Sequence, residues 1–419
     1  MKIPNTPADY ADFVPVIRFA VASDLHIYEE DYDNVDRFRK MFETAYRFAE
    51  DSPYKNLDAV VLVGDIVGGG TVKQYEIFNR VVKECLRPGT ELITMTGNHE
   101  FDEKRGEGVE TEGLTTYRAY CHPDPERDVE INGFHLITLS LAMRNLYTEE
   151  TQRFLAERVA NAAKEDPTKP IFVFQHRHLT DTCYASMWHS SQSVEIRAIL
   201  HPYPQVIDFS GHSHAPINHP RTIWQGDITC IGTGTLFEME MEEGMTCGTM
   251  PEGSDDIAQY SIVEADARGR TRVIPYNILT DDIFETPSNT DPAGTKMTWY
   301  IDEPGKPFRY LGRENKRPPF FGEDARVTVD AITADGAAVS FPQAYDDECV
   351  YGYEIHYTAN GETKTVSFFS GFYMEPMPAT LRWELTELTP DTEYAVEVVP
   401  ICAFGLRGEP IRTAFTTAK

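Results

Sequence analysis

Residues 92–100 read Leu-Ile-Thr-Met-Thr-Gly-Asn-His-Glu. A short apolar run rich in β-branched side chains closes abruptly on a glycine, an amide, an imidazole and a carboxylate. The run predicts a strand over Leu92–Thr96. The same grammar recurs along the chain. Predicted strands Val16–Ala22, Ala59–Val63, Ile171–Phe174 and Val206–Phe209 run into Asp24-Leu25-His26, Gly64-Asp65, His176 and Gly211-His212-Ser213-His214. His135–Leu139 reads as a further strand. Between the strands, Asn34–Glu50 spaces Val35, Phe38, Phe42, Ala45 and Ala49 at helical intervals. Tyr75, Phe78, Val82 and Leu86 do the same, as do Leu155, Val159 and Ala162 within Thr151–Lys164. Strands alternating with helices predict a layered α/β architecture. In open α/β folds sites form at the carboxyl ends of strands, so the five polar clusters are expected on one rim.

Further strands are expected around Thr222–Ile231 and Tyr260–Asp266. Arg268-Gly269-Arg270 reads as a hairpin turn returning through Thr271–Tyr276. Glu238–Asp256, rich in Met, Glu and Gly, reads as a solvated loop or flap. Residues 285–324 are dense in Pro, Gly and charge and read as a linker lying along the first domain, residues 1–284. Residues 325–419 hold seven short candidate strands: Val327–Ile332, Ala337–Phe341, Gly352–Thr358, Thr363–Ser367, Thr380–Leu385, Tyr394–Ile401 and Ile411–Phe415. That density predicts a β-sandwich. Leu388–Tyr394, followed by alternating Val396 and Val398, resembles a fibronectin type III module. The resemblance implies that Tyr394 is its tyrosine-corner residue and Phe404-Gly405 its last hairpin. No catalytic constellation is visible there, and such modules position or bind other molecules, here a protein or a glycan.

Hydrophobic residues make up 41% of the 419 and charged residues 25%, ordinary for a soluble globular protein. The charge is not ordinary: 67 acidic against 38 basic residues leave a net charge of -29. Such a surface repels nucleic-acid backbones and anionic membranes, so neither is an expected partner. An anionic substrate then needs a local offset, which bound divalent cations supply. No stretch approaches the roughly 18 apolar residues of a membrane span. The first 15 residues carry acid and proline where a secretory signal needs a basic start and an apolar run. Seven cysteines with no CxxC spacing favour free thiols in a reducing, cytoplasmic setting. Removal of a signal from a secreted protein would leave the same picture. A Cys349–Cys402 pair is the alternative to two buried thiols.

The five clusters offer oxygen and nitrogen donors suited to Mn, Fe or Zn. Asp24 and His26, with one residue between them, can aim at one ion. Asp65 has two oxygens with which to bridge two ions, Asn98 a neutral carbonyl beside His99, and His212 and His214 can share an ion or split between two. Each cluster alone has a bland reading, since Gly-Asp is commonly a turn; five in order do not. Together, Asp-x-His, Gly-Asp, Gly-Asn-His-Glu, a lone His and Gly-His-x-His resemble the calcineurin-like metallophosphoesterase family over residues 17–280. The resemblance implies an α/β fold, a four-layer α/β/β/α sandwich, joined here to a C-terminal all-β immunoglobulin-like sandwich. It implies two metal ions, the first held by Asp24, His26, Asp65 and His214, the second by Asp65, Asn98, His176 and His212. His99 stands outside the ligand shell near the phosphate. The chain departs from the family where His176-Arg177-His178-Leu179 replaces a His-His-Pro or His-x-Pro continuation, and His178 is the alternative to His176.

The expected function is a binuclear-metal hydrolase of phosphate mono- or diesters. Two ions about 3.5–4 Å apart can activate a bridging hydroxide and clamp both reacting oxygens. Asp65 and His99 are the catalytic candidates, with His99 as proton donor and Glu100 either orienting it or serving only as a helix-start or surface residue. Asn98, His99 and Arg177 are the substrate-binding candidates; Arg105 and Arg144 also fall near strand ends. His178, Trp188 and His189 follow the fourth motif and read as ordinary loop residues, with lining of the cleft as the alternative. The competing class is a protein-interaction scaffold with a vestigial metal site, against which a complete ligand set and an intact His99 both argue.

Overall fold

The computed structural model describes residues 3, 6–29, 33–101, 110–291, 294–313 and 317–419. Arg105 lies outside them. Three strands open the first sheet: β1 (Pro15–Ala22), β2 (Ala59–Leu62) and β3 (Glu91–Thr94), side by side and parallel. The chain then crosses to a second sheet, β4 (Asp128–Ile131), β5 (Phe134–Leu139), β6 (Ile171–Gln175), β7 (Val206–Ser210), β8 (Ile223–Gln225) and β9 (Thr229–Gly232), in the order β4-β5-β6-β7-β9-β8. It returns to the first sheet with β10 (Gln259–Asp266), β11 (Thr271–Asn277), β12 (Asp282–Ile283) and β13 (Trp299–Ile301). β10 pairs antiparallel to β1 and, through the expected hairpin, to β11.

Side chains alternate across each strand, and that alternation builds the layers. Ile17, Phe19 and Val21 of β1 meet Phe172, Phe174 and Phe209 of the second sheet, while Ala20 and Ala22 face the helices α1 (Asp33–Asp51) and α2 (Val72–Cys85). A further helix, α3 (Glu110–Tyr120), adds Tyr117 to that outer core. On the far side Ile137, Leu139 and Val173 pack on Leu155 and Val159 of α4 (Glu149–Glu165) and Ile196 and Leu200 of α5 (Ser193–Leu200). The result is the four-layer α/β/β/α sandwich that the motif resemblance implies. Every parallel strand delivers its carboxyl end to the same rim.

Residues 325–419 form two sheets. One holds β14 (Thr328–Asp330), β15 (Ala337–Pro342) and β18 (Thr380–Leu385); the other holds β16 (Val350–Ala359), β17 (Glu362–Phe369), β19 (Glu393–Cys402) and β20 (Ile411–Thr416). The Tyr394 hydroxyl accepts a hydrogen bond from the Thr389 N–H at 2.9 Å, the tyrosine-corner contact. All seven cysteines are free, Cys349 and Cys402 included. No helix among the described residues is long and apolar enough to cross a membrane.

Two expectations change. The stretch read as a linker supplies β13, which pairs with the free edge of β11; Trp299 and Ile301 enter the core between the sheets. An apolar Trp-Tyr-Ile triplet finds an open strand edge, which outweighs the surrounding Pro and Gly. The Glu238–Asp256 stretch is not a solvated flap. Met239 and Met241 are buried with Ile217, Ile257 and Phe284 against Phe369, Phe372 and Tyr373 of the C-terminal sandwich. The Thr246 N–H also donates to the Ser367 carbonyl at 2.7 Å. Methionine's flexible thioether fills such an irregular seam.

Candidate metal centre

The rim brings Asp24, His26, Asp65, Asn98, His99, His176, His212 and His214 together, and the backbone bends sharply to do so. Asp24, His26, Asp65, His212 and His214 have φ of 53°, 46°, 49°, 68° and 52°. That left-handed region costs a non-glycine residue about 1–3 kcal/mol and persists where the surroundings enforce it. Close packing explains the neighbouring glycine at 97: a Cβ there would stand 2.2 Å from Asp65 Oδ1.

Each carboxylate has one oxygen tied down and one left free. Asp24 Oδ2 accepts from the His212 N–H at 2.9 Å and from the Ser23 hydroxyl. Asp65 Oδ1 accepts from the His99 N–H at 2.8 Å. Asp24 Oδ1 and Asp65 Oδ2 are buried and have no hydrogen-bond partner.

The imidazoles facing them are oriented from behind. His176 Nδ1 lies 2.8 Å from the Val63 carbonyl and His214 Nδ1 2.8 Å from the Glu238 carbonyl. A carbonyl only accepts, so both Nδ1 atoms carry the proton and both Nε2 atoms present lone pairs inward. His176 Nε2 then faces Asp65 Oδ2 at 3.1 Å and Asn98 Oδ1 at 3.2 Å. His214 Nε2 faces His26 Nε2 at 3.1 Å and Asp24 Oδ1 at 3.5 Å. Acceptors converge on acceptors, an arrangement only positive charge stabilises. Asp24, His26 and His214 form one group whose ligand atoms lie within 4.8 Å of one another; Asp65, His176 and His212 form another. His26 and His99 also close on Asp65. The donor set fits two borderline divalent ions.

Without metal, protons take that role. Burial opposes a charge on His214, but the Asp24 carboxylate beside it overrides this and raises it to about 9. Burial also opposes charge on His176, and Asp65 raises it. Burial and His214 together push His26 down to about 3. A histidine raised from 6.5 to about 9 in the folded state contributes stability that is complete below 6.5 and lost as pH rises through about 9. Chelator-treated protein should therefore lose melting temperature across that interval, while protein loaded with a metal that takes the His214 lone pair should not. Thermal melts at stepped pH, with and without metal, read the difference; parallel curves would contradict it.

The other residues named from sequence fall into place differently. His178 is buried, with Nδ1 2.7 Å from Ser210 Oγ and Nε2 2.7 Å from Ser213 Oγ; both nitrogens are occupied, so His176 and not His178 faces the centre. Glu100 neither orients the His99 ring nor sits at the surface. It is buried, and its carboxylate accepts from the N–H groups of Asp65 (3.1 Å), Ile66 (2.7 Å), Val67 (3.2 Å) and Gly97 (2.5 Å). Burial, then the nearby Asp65 charge, lifts it to about 7. Arg177 Nη2 lies 3.3 Å from Asn98 Oδ1 and 3.2 Å from the Arg144 carbonyl. His189 is exposed. Sequence reading missed Tyr147, whose hydroxyl accepts from the His176 N–H at 3.1 Å, and Ser23; nothing in their local sequence marks them.

Residues 17–216 match the model of the calcineurin-like phosphoesterases. Similar solved structures include a dimetal phosphatase from Danio rerio, 12% identical, covering 63% of this chain and 96% of that one with a TM-score of 0.42. A purple acid phosphatase from yellow lupin (Lupinus luteus) seeds is 12% identical, with 68% and 53% covered and a TM-score of 0.47. A fibronectin type III domain of human collagen XX is 26% identical, with 25% and 93% covered and a TM-score of 0.19. No curated protein matches the chain.

Proposed function

We propose, from the premise that residues 17–216 form a calcineurin-like phosphoesterase domain, that the protein is a dimetal hydrolase of phosphate mono- or diesters. The observation that carries the reading is the pair of unpartnered oxygens, Asp24 Oδ1 and Asp65 Oδ2, each met by imidazole lone pairs. Asp24, His26, Asp65 and His214 would hold one ion, and Asp65, Asn98, His176 and His212 the other. Two such ions supply a water nucleophile near neutral pH and offset charge on the phosphoryl oxygens.

The remaining work falls to the chain itself. The His99 side chain is 29% exposed, against 3% for His26, and its Nε2 lies 4.0 Å from Asp65 Oδ2. With His212 it is one of the two imidazoles of the cluster that are not fully buried. Its backbone N–H is anchored on Asp65 Oδ1, which registers the ring to the shared carboxylate. In its protonated form Nε2 gives a proton to the departing oxygen. Arg177 offers guanidinium N–H groups beside Asn98, where a phosphoryl oxygen would otherwise meet a strongly anionic protein.

Metal-free protein, resupplied with Mn and given chromogenic phosphomonoester and phosphodiester substrates, tests the reading. Turnover should depend on metal. His99→Ala should lower kcat by about 10²–10⁴-fold with both ions retained; loss of an ion would make His99 a ligand instead. Two bound ions and no turnover of either ester class would overturn the hydrolase.

A further inference from the structure

Trp188 is the exposed tryptophan of this chain: it is 44% accessible, and Met187 beside it 53%, while Trp299 is buried and Trp224 and Trp383 are partly so. A large apolar ring left in water at the rim of a site is the informative kind of exposure. The indole stands edge-on to His212, with ring centroids 6.0 Å apart and planes at 87°. His212 in turn groups with Asp65 and His176. The ring therefore borders the second half of the metal centre.

The platform is built rather than loose. Its root, Cys183-Tyr184-Ala185, is buried. Ala185 has φ of 61°, a left-handed turn that no glycine eases. Glu242 enforces it by accepting the Ala185 N–H at 3.0 Å while paired to Arg221 at 3.2 Å. The Tyr184 hydroxyl accepts from the Glu242 N–H at 2.8 Å and meets the Tyr351 hydroxyl of the C-terminal sandwich at 2.9 Å. The Trp188 N–H closes the turn on the Ala185 carbonyl at 3.1 Å. A fixed root and an open ring are what a stacking surface requires.

We infer that Trp188 is a specificity-determining residue that receives a planar aromatic or heteroaromatic ring on the alcohol half of the phosphate ester. The inference rests on the hydrolase reading and deepens it by naming a substrate class. The C-terminal sandwich, through Tyr351, is then part of what holds the specificity surface in place.

Kinetics on matched naphthyl and alkyl phosphate esters, offered as mono- and diesters, test it. Trp188→Ala should raise KM for the naphthyl ester by about 10–100-fold, the size of one lost stacking contact. KM for the alkyl ester, kcat for both and metal content should stay as in the wild type, and Trp188→Phe should restore most of the naphthyl KM. Equal changes for both esters, or no change, overturn the inference alone. A wild-type chain that binds both ions and cleaves neither ester overturns the hydrolase reading instead.

Discussion

Asp65→Asn should abolish stable metal loading and lower turnover by on the order of a thousandfold, while the fold survives. The amide keeps an oxygen for the His99 N–H that Asp65 Oδ1 now accepts at 2.8 Å. At the other position an N–H₂ replaces Oδ2 and faces His176 Nε2, 3.1 Å away. Asp65 favours the charged form of His176; the amide replaces that contact with a neutral hydrogen bond, and the negative charge both ions would share is gone. Metal analysis, activity and a thermal melt check the three parts. A variant that retained both ions and full turnover would remove Asp65 from the centre of the mechanism.

Glu100→Ala should damage the protein from behind the metals. Four backbone N–H groups, from Asp65, Ile66, Val67 and Gly97, converge on this one buried carboxylate. Alanine leaves all four unsatisfied, at about 1–3 kcal/mol for a buried donor. Even with partial relaxation the sum reaches several kcal/mol, comparable with the whole stability of an ordinary domain. Glu100→Gln, with one acceptor oxygen in place of two, should fall between alanine and wild type. Denaturant unfolding of both variants gives the ranking, and metal titration should show both ions weakened together. A Glu100→Ala protein of wild-type stability and metal affinity would contradict this account.

The difference between these two residues also marks what sequence can carry. Asp65, Asn98 and the paired histidines, proposed here as ligands, could be placed on one rim from sequence because they stand at strand ends, and strand ends are visible as breaks in apolar runs. Glu100 was visible as part of the same motif, but its task was not. A carboxylate that binds its neighbours' backbone looks identical in sequence to one that caps a helix. Long elements were readable from periodicity, α1 and α4 within a few residues. The edge strand β4 (Asp128-Val129-Glu130-Ile131) escaped because only half its residues are apolar, and β13 because Pro and Gly surround it. The burial of Met239 and Met241 could not be read at all, since the surface that covers them lies more than a hundred residues further along the chain.

That seam between the units alters what the C-terminal sandwich is. Beads of this architecture are portable when each carries its own finished surface. Here Phe369, Phe372 and Tyr373 on one side and Ile217, Met239 and Met241 on the other are interior residues that happen to belong to different units. Either half released alone would turn a patch of core towards water. The sandwich has given up its independence as a module and become a wall of the larger one.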